Sequence, residues 1–423
     1  MRRSLFATAA FLLASQFCLT SALSDIERPN STLSRLAFGS CHKNKYVDPA
    51  NTIWDSIRKK EPDAFLWTGD SVYPPTRGIA SVELLQQEYN QLKNNHSLGY
   101  ATFEPPLGIY GTWDDHDYGG NDLGMEMPQK EERAVAFLQF LNKMLIFQKD
   151  GRHGIYYSVE WGVAPRKIKA ILLDTRWHRE PHCIPSVAHK IPLGAAIACI
   201  SRWLTAGLAL PNCHTGSILG EEQFAWLETQ LTTSDAQIHV IVSSVQVLTS
   251  SPVIESWGHF PDDRTQLLKL INGVSGAVLI SGDVHYAEIL APSDKATFLE
   301  VTSSGLTHDC SMPFYGVLCK PLLEAFDAHR YQSKDNFYIG KNYGTLQVDW
   351  EGKTFEVLVH DDKGSVVLRT GNMAFEQDRM SDDEIEQIVP VFDGHLIPKF
   401  RSLLVALNAL ILGFLIQRWL RRR

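Results

Sequence analysis

The chain has 423 residues, enough for one large domain or two ordinary ones, and its 44% hydrophobic and 21% charged residues can build a sizeable core. A formal net charge of −8 excludes the general basic surface that nucleic-acid binding requires. No internal repeat or low-complexity tract is visible.

In chain order, MRRSLFATAAFLLASQFCLTSA begins with two arginines, continues through a short apolar run and ends in small residues. That is the pattern of a signal peptide over residues 1–22, with an uncleaved anchor as the alternative. RLAFGSC (35–41) reads as a buried strand, NTIWDSIRKK as a short amphipathic helix and PDAFLWTGD as a second strand, together a β-α-β unit. LGIYGTW is strand-like and leads into YGTWDDHDYGGND (110–122), where Asp114, Asp115 and Asp117 crowd around His116. Adjacent carboxylates repel unless a cation or a hydrogen-bond network holds them, so this stretch is either a solvated acidic loop or one edge of a metal site.

Further strands are expected at KIKAILLDT (167–175), IHVIVSSVQV (238–247), GAVLISGDVH (276–285) and TFLEVTSSG (297–305), with a helix over EEQFAWLETQLTT. Cys183 to Cys213 reads as an irregular excursion. GTLQVDWEGKTFEVLVHDDKGSVVLRT alternates in polarity and has two turns, which predicts an antiparallel meander. DRMSDDEIEQIVPVF reads as a short acidic helix between body and membrane. The apolar run SLLVALNALILGFLIQ (402–417) then spans roughly 24 Å as a helix, and terminal arginines flank it. A transmembrane helix over 399–419 is expected, with a buried or amphipathic terminal helix as the alternative. The partition is a signal peptide (1–22), one catalytic domain (30–370), a juxtamembrane segment (371–398), the membrane helix and a cytoplasmic tail (420–423).

This places the body in the secretory pathway or at the cell surface, single-pass and lumenal or extracellular, with the bilayer as a partner. The cysteines agree with an oxidising compartment: Cys310 can pair with Cys319, or pairs can form among Cys183, Cys199 and Cys213. Asn30 (NST) and Asn95 (NHS) are usable glycosylation sequons.

Apolar strands that end in polar residues predict an α/β sandwich with its chemistry on the loops at the strands' carboxyl ends. The residues past those ends are Cys41; Asp70 and Tyr73 of GDSVY; Asp114, Asp115 and His116; and Asp283 and His285 of GDVH. Each alone is weak, since a lone GD is commonplace and a lone Cys is more often a small buried hydrophobe. Together they are metal-ligand side chains gathered at one end of a sheet. Thiolate and phenolate suit a trivalent or borderline metal, and carboxylates suit calcium or magnesium. Asp70 could bridge two ions, which would acidify a shared water for in-line attack. There is no GxSxG and no HExxH, so the serine-hydrolase and zincin readings fail.

FGSC, GDSVY, TWDDHD, LDTR and GDVH, in this order, resemble the alkaline phosphatase D (PhoD-like) branch of the metallophosphoesterase superfamily, from about Leu36 to Thr302 with the meander as a continuation. The resemblance implies a four-layer α/β/β/α fold and hydrolysis of phosphate mono- and diesters. It implies a ferric ion on Cys41, Asp70, Tyr73 and His285, and calcium on Asp70, Asp115 and Asp283; other divalent metals are alternatives. His116 matches the superfamily's catalytic histidine, which would steady charge on the phosphate or protonate the leaving oxygen, with Asp117 to orient it. Asn121 and Asp122 are outer-ligand candidates, and Arg176 of LDTR is expected to knit the fold. The short stretch before FGSC and the membrane anchor depart from the family's secreted bacterial members, so the substrate stays open. The alternative functions are a phosphodiesterase acting on lipid- or glycolipid-linked phosphate, and a catalytically inactive surface-binding relative.

Overall fold

A computed structural model describes residues 24–388, apart from 148–150, 192, 209–212, 214, 293–297, 314–315 and 327. The leader (1–22) and the expected membrane helix (399–419) lie outside the described residues. Among the described residues no helix is long and apolar enough to cross a membrane.

Two sheets stand face to face. One follows the order β14-β13-β12-β2-β3-β4, with β15 on β13: β2 is Arg35–Gly39, β3 Ala64–Thr68, β4 Ile109–Thr112, β12 Asn342–Asp349, β13 Thr354–Asp361, β14 Val366–Arg369 and β15 Met373–Ala374. The other follows β1-β5-β6-β7-β8-β10-β9-β11: β1 is Ile26–Arg28, β5 Tyr157–Trp161, β6 Ile168–Leu172, β7 Ile238–Ser243, β8 Ala277–Ser281, β9 Ala287–Leu290, β10 Leu299–Ser303 and β11 Phe337–Tyr338. β2, β3 and β4 are parallel, as are β6, β7, β8 and β10, so both sheets deliver their strand ends to one edge.

The period-two alternation of strands explains the layering. Val240, Val242, Val278 and Ile280 face the opposing sheet, where they share one core with Leu36, Leu66 and Leu346. Ile241 and Leu279 point the other way, onto Phe224 and Leu227 of the helix Gly220–Thr232 and Leu267 of the helix Pro261–Ile271. On the far side of the first sheet Phe65 and Trp67 meet Trp54 at 5.3 and 5.4 Å between ring centroids. The order is helix, sheet, sheet, helix, as expected. Two isolated bridges, Ser40 to Ser304 and Gly305 to Asn342, tie the sheets together beside the polar strand ends.

Two details differ from the sequence reading. The excursion between Cys183 and Cys213 contains a helix, Gly194–Leu208. Its polar residues Ser201, Arg202 and Thr205 fall on one side at helical spacing, a short signal set among small and apolar residues. The acidic helix Asp382–Ile388 is docked on the body rather than standing off it, with Ile385 and Ile388 buried in the second core. Cys183 pairs with Cys213 and Cys310 with Cys319, leaving Cys41 and Cys199 as the free thiols among the described residues.

Candidate metal centre

Each strand of the parallel edge ends where its motif begins. Cys41 lies just past β2, Asp70 and Tyr73 past β3, Asp114 to Asp117 past β4, and Asp283 and His285 past β8. Cys41, Asp70, Asp283 and His285 have φ of 61°, 51°, 71° and 66°. That left-handed region costs a side chain of order 1–3 kcal/mol, and it persists only where surrounding structure demands it. Four residues of the cluster are thus bent off their strands in the same way.

Two glycines make the convergence possible. A Cβ on Gly69 would lie 2.6 Å from the Cβ of Asp114, so the glycine before Asp70 lets the loops after β3 and β4 touch. At Gly119 (φ 106°), the first glycine after the acidic run, a Cβ would lie 2.1 Å from Arg133 Nη1. Arg133 donates there to the carbonyls of Tyr118 and Ala80, locking the turn from behind.

The side chains meet around Asp70. Tyr73 OH donates to Asp70 Oδ2 at 2.6 Å and lies 3.1 Å from His285 Nε2. Cys41 Sγ is 3.8 Å from the same carboxylate oxygen, and the His116 amide donates to the other at 3.1 Å. Among the described residues, one potential ligand atom per residue comes within 4.8 Å of its fellows in four groups: Cys41–Asp70–His285, Asp70–Asp115–His116, Asp70–Asp114–Asp115–Asp283, and Asp115–Asp122–Glu255. Asp70 belongs to three of them. Cys41, Asp70, Asp115, Asp283 and His285 fall in these groups, while Tyr73, whose hydroxyl bonds both Asp70 and His285, and Asn121 do not.

The electrostatics fit a cation. Burial first, then the repulsion of Asp115 and Asp114, raises the Asp70 carboxyl well above the carboxylate range; Asp283 is raised in the same way, by burial and then Asp114. Burial raises Asp114 to about 7 and Asp115 to about 6, against the pull of Arg176. Burial and then Asp70 push the Cys41 thiol and the Tyr73 phenol well up. Asp114 Oδ2 and Asp115 Oδ1 are buried without a hydrogen-bond partner. Acids so crowded, with carboxylate oxygens unspent, are what a bound metal would satisfy.

The remaining expectations divide. Arg176 does knit the site: fully buried, it bonds Asp114 Oδ1 (Nε, 2.6 Å) and Glu255 Oε1 (Nη1, 2.8 Å). Asp117 does not orient His116. Its carboxylate takes the Ser71 amide at 3.1 Å, the Ser71 hydroxyl at 2.5 Å and the Tyr89 hydroxyl at 3.1 Å, because the first turn after β4 points it back into the body. His116 instead lies against the Tyr73 ring, centroids 4.1 Å apart, with Nε2 3.9 Å from Asp115 Oδ1. Burial, then Lys43 and Arg176, lowers its pKa to about 3, so the imidazole is neutral. Asn121 lines the groove beside His116, while Asp122 donates its amide to Asp115 Oδ2 at 2.8 Å and pairs with Arg202.

Three residues at the site escaped the sequence. His308 lies 4.0 Å from His285 between ring centroids, and its amide donates to the Cys41 carbonyl. Lys43 holds its ammonium 5.2 Å above the Tyr73 ring. Glu255 joins Asp115 and Asp122. His308 had a signal, since THD follows β10 as polar residues follow the other strands. Glu255 lies in a loop with none.

A family model of PhoD-like phosphatases matches residues 36–356. A solved structure of PhoD superposes with a TM-score of 0.53 at 15% identity, covering 86% of this chain and 77% of that one. A purple acid phosphatase from yellow lupin (Lupinus luteus) seeds gives 0.45 at 10% identity, over 84% of this chain and 56% of that one. No curated protein sequence matches. Because the family match spans most of the chain, the protein belongs to the PhoD-like phosphatases, metal-dependent hydrolases of phosphoric esters.

Proposed function

We propose that the chain hydrolyses phosphate esters at a two-metal centre, with Cys41, Asp70, Tyr73 and His285 holding a ferric ion and Asp70, Asp115 and Asp283 holding calcium. The observation that carries this is the sharing of Asp70 among three ligand groups, which would let its carboxylate serve both ions. When bound, the ions supply positive charge to the phosphate oxygens and acidify a shared water. The chain's own residues do the rest. Arg176 pairs with Asp114 behind the ligands and holds it in place, and Lys43 adds a positive charge beside the Tyr73 ring. His116, neutral and at the mouth, donates a hydrogen bond to the departing oxygen as charge gathers there. Asp114, in one group with Asp70, Asp115 and Asp283, is a further possible oxygen donor.

Elemental analysis of purified protein tests the pair: iron with calcium supports it, and two zinc ions overturn it. An Asp70→Ala protein should lose both metals and all phosphate release.

We also infer a secreted leader and a C-terminal anchor that keep the body lumenal or extracellular. Both disulfides suit an oxidising compartment, and Asn30 is exposed for glycosylation while Asn95 is half-buried. Deleting everything after Pro398 should release active protein into the medium. Retention of that protein in carbonate-washed membranes would rule out the single anchor.

A further inference from the structure

A groove of about 880 Å³ opens beside His116 and runs away from the ligand cluster. That is near the upper end for a site that takes a whole small molecule, and far more than a phosphate group needs. Its walls are the helix Gly194–Leu208 and the helix Gly316–Ala325, and its lining includes Ile191, Leu193, Ile200, Trp203, Ile254 and Leu322. Leu193 is 70% exposed, Ile200 53%, Ile191 47% and Leu322 41%. Single exposed apolar residues are ordinary, but these line one concavity, and contiguous apolar surface of that kind marks a binding site.

The wall is built, not incidental. Arg202 anchors the helix Gly194–Leu208 by an ion pair to Asp122 Oδ2 at 3.0 Å and a hydrogen bond to the Val253 carbonyl at 3.0 Å. Asp122 in turn donates its amide to Asp115, so the apolar wall is tied to the ligand loop through one residue. The Cys183–Cys213 disulfide closes the segment that carries the first helix, and Cys319, within the second, is bonded to Cys310.

We propose that the alcohol half of the substrate is a long hydrocarbon chain that lies in this groove, so that the protein takes phosphate esters of long-chain or lipid alcohols. The proposal rests on the phosphoesterase reading and deepens it. The continuity of the groove with His116 sets the direction. With phosphorus at the ligand cluster, the bond that breaks joins phosphorus to the oxygen of the departing alcohol. The bond that forms joins phosphorus to the oxygen of water. One proton of that water is lost to solvent, the departing oxygen takes up one, and the products are the alcohol and the phosphate. The alcohol's chain extends from the oxygen nearest His116, along Ile200 and Leu322.

The test uses the metal-loaded full chain and monoalkyl phosphates from ethyl to dodecyl, each kept monomeric, with released phosphate measured. Burying each added methylene should raise kcat/KM by about threefold to fourfold until the groove is full. Octylphosphonate, which is not cleaved, should bind more tightly than ethylphosphonate by a similar factor per methylene in calorimetry. In Ile200→Asp the dependence on chain length should collapse in both measurements. In Val163→Asp, on the exposed turn between β5 and β6, it should persist. A flat series on an enzyme that cleaves the short esters overturns the chain subsite and leaves the phosphoesterase reading standing. Failure to cleave any ester overturns both. A slope that appears only when the esters are presented in phosphatidylcholine vesicles assigns the groove to a bilayer surface and overturns the proposal.

Discussion

At the scale of single residues, the centre separates groups that would bind metal from groups that would act on substrate. His116 lies close enough to Asp70 and Asp115 to count as a ligand, yet it also lines the groove and is neutral. His116→Asn should keep full metal stoichiometry and lose roughly 10²–10³-fold in turnover, the usual worth of one charge-stabilising donor. The loss should be largest with alkyl phosphates, whose departing oxygen carries most charge, and smaller with nitrophenyl phosphate. Metal loss in this variant would make the histidine a ligand instead. Arg176 has the opposite character. Replacing it with Met leaves Asp114 buried without its cation and Glu255 with Arg179 as its remaining arginine, so the variant should be destabilised by about 3–5 kcal/mol in denaturant unfolding. An unfolding midpoint within error of the parent's would mean the pair contributes nothing.

At the scale of elements, β5, β6 and β7 carry a polar row through an apolar sheet: Glu160 is in register with Lys169, and Lys169 with His239. His239 is buried, its Nδ1 2.8 Å from the Ser275 carbonyl and Nε2 2.8 Å from the Ser234 hydroxyl. The carbonyl requires a proton on Nδ1, which leaves Nε2 to accept from the serine. Burial, countered by the Ser275 carbonyl, lowers the pKa from 6.5 to about 4. Between those values the unfolded chain binds the proton and the folded one does not. Its contribution is therefore complete above pH 6.5 and lost as pH falls toward 4, about 3 kcal/mol at most. His239→Gln should flatten the fall in melting temperature between pH 7 and 5, and equal slopes in the two proteins would disprove the assignment. The strands best legible in the sequence were those whose apolar run ends in a polar cluster, β2, β3, β7, β8 and β10. β1 and β9 were not legible, because three or four residues carry no usable period. β5 was lost for another reason: YSVEW mixes polar and apolar residues because Ser158 and Glu160 are buried in hydrogen bonds and ion pairs that exist only in the fold. The convergence of the candidate ligands was legible because each follows a strand, whereas Glu255 depends on Arg176 and Arg179 reaching it from another loop.

At the scale of the whole molecule, the two sheets are joined at their polar ends by few backbone bridges among the described residues, and the candidate ligands span that seam. Cys41, Asp70, Tyr73 and Asp115 come from β2, β3 and β4 of one sheet, while Asp283 and His285 come from β8 of the other. Metal at this place would do more than chemistry. It would cancel the repulsion that raises Asp70 and Asp283, and it would bind only when the sheets are correctly faced. Ligands that bind the folded state alone stabilise it by mass action, about 3 kcal/mol at a hundredfold excess over Kd and about 4 at a thousandfold. Protein stripped by chelator and dialysed should therefore melt several degrees below the loaded form, and restored metal should reverse the change. The same comparison in Asp70→Ala should show no difference between stripped and loaded samples, because the residue shared by three ligand groups is gone. Stripped and loaded parent proteins melting together, with metal content measured in both, would show that the centre holds its ions without holding the sheets.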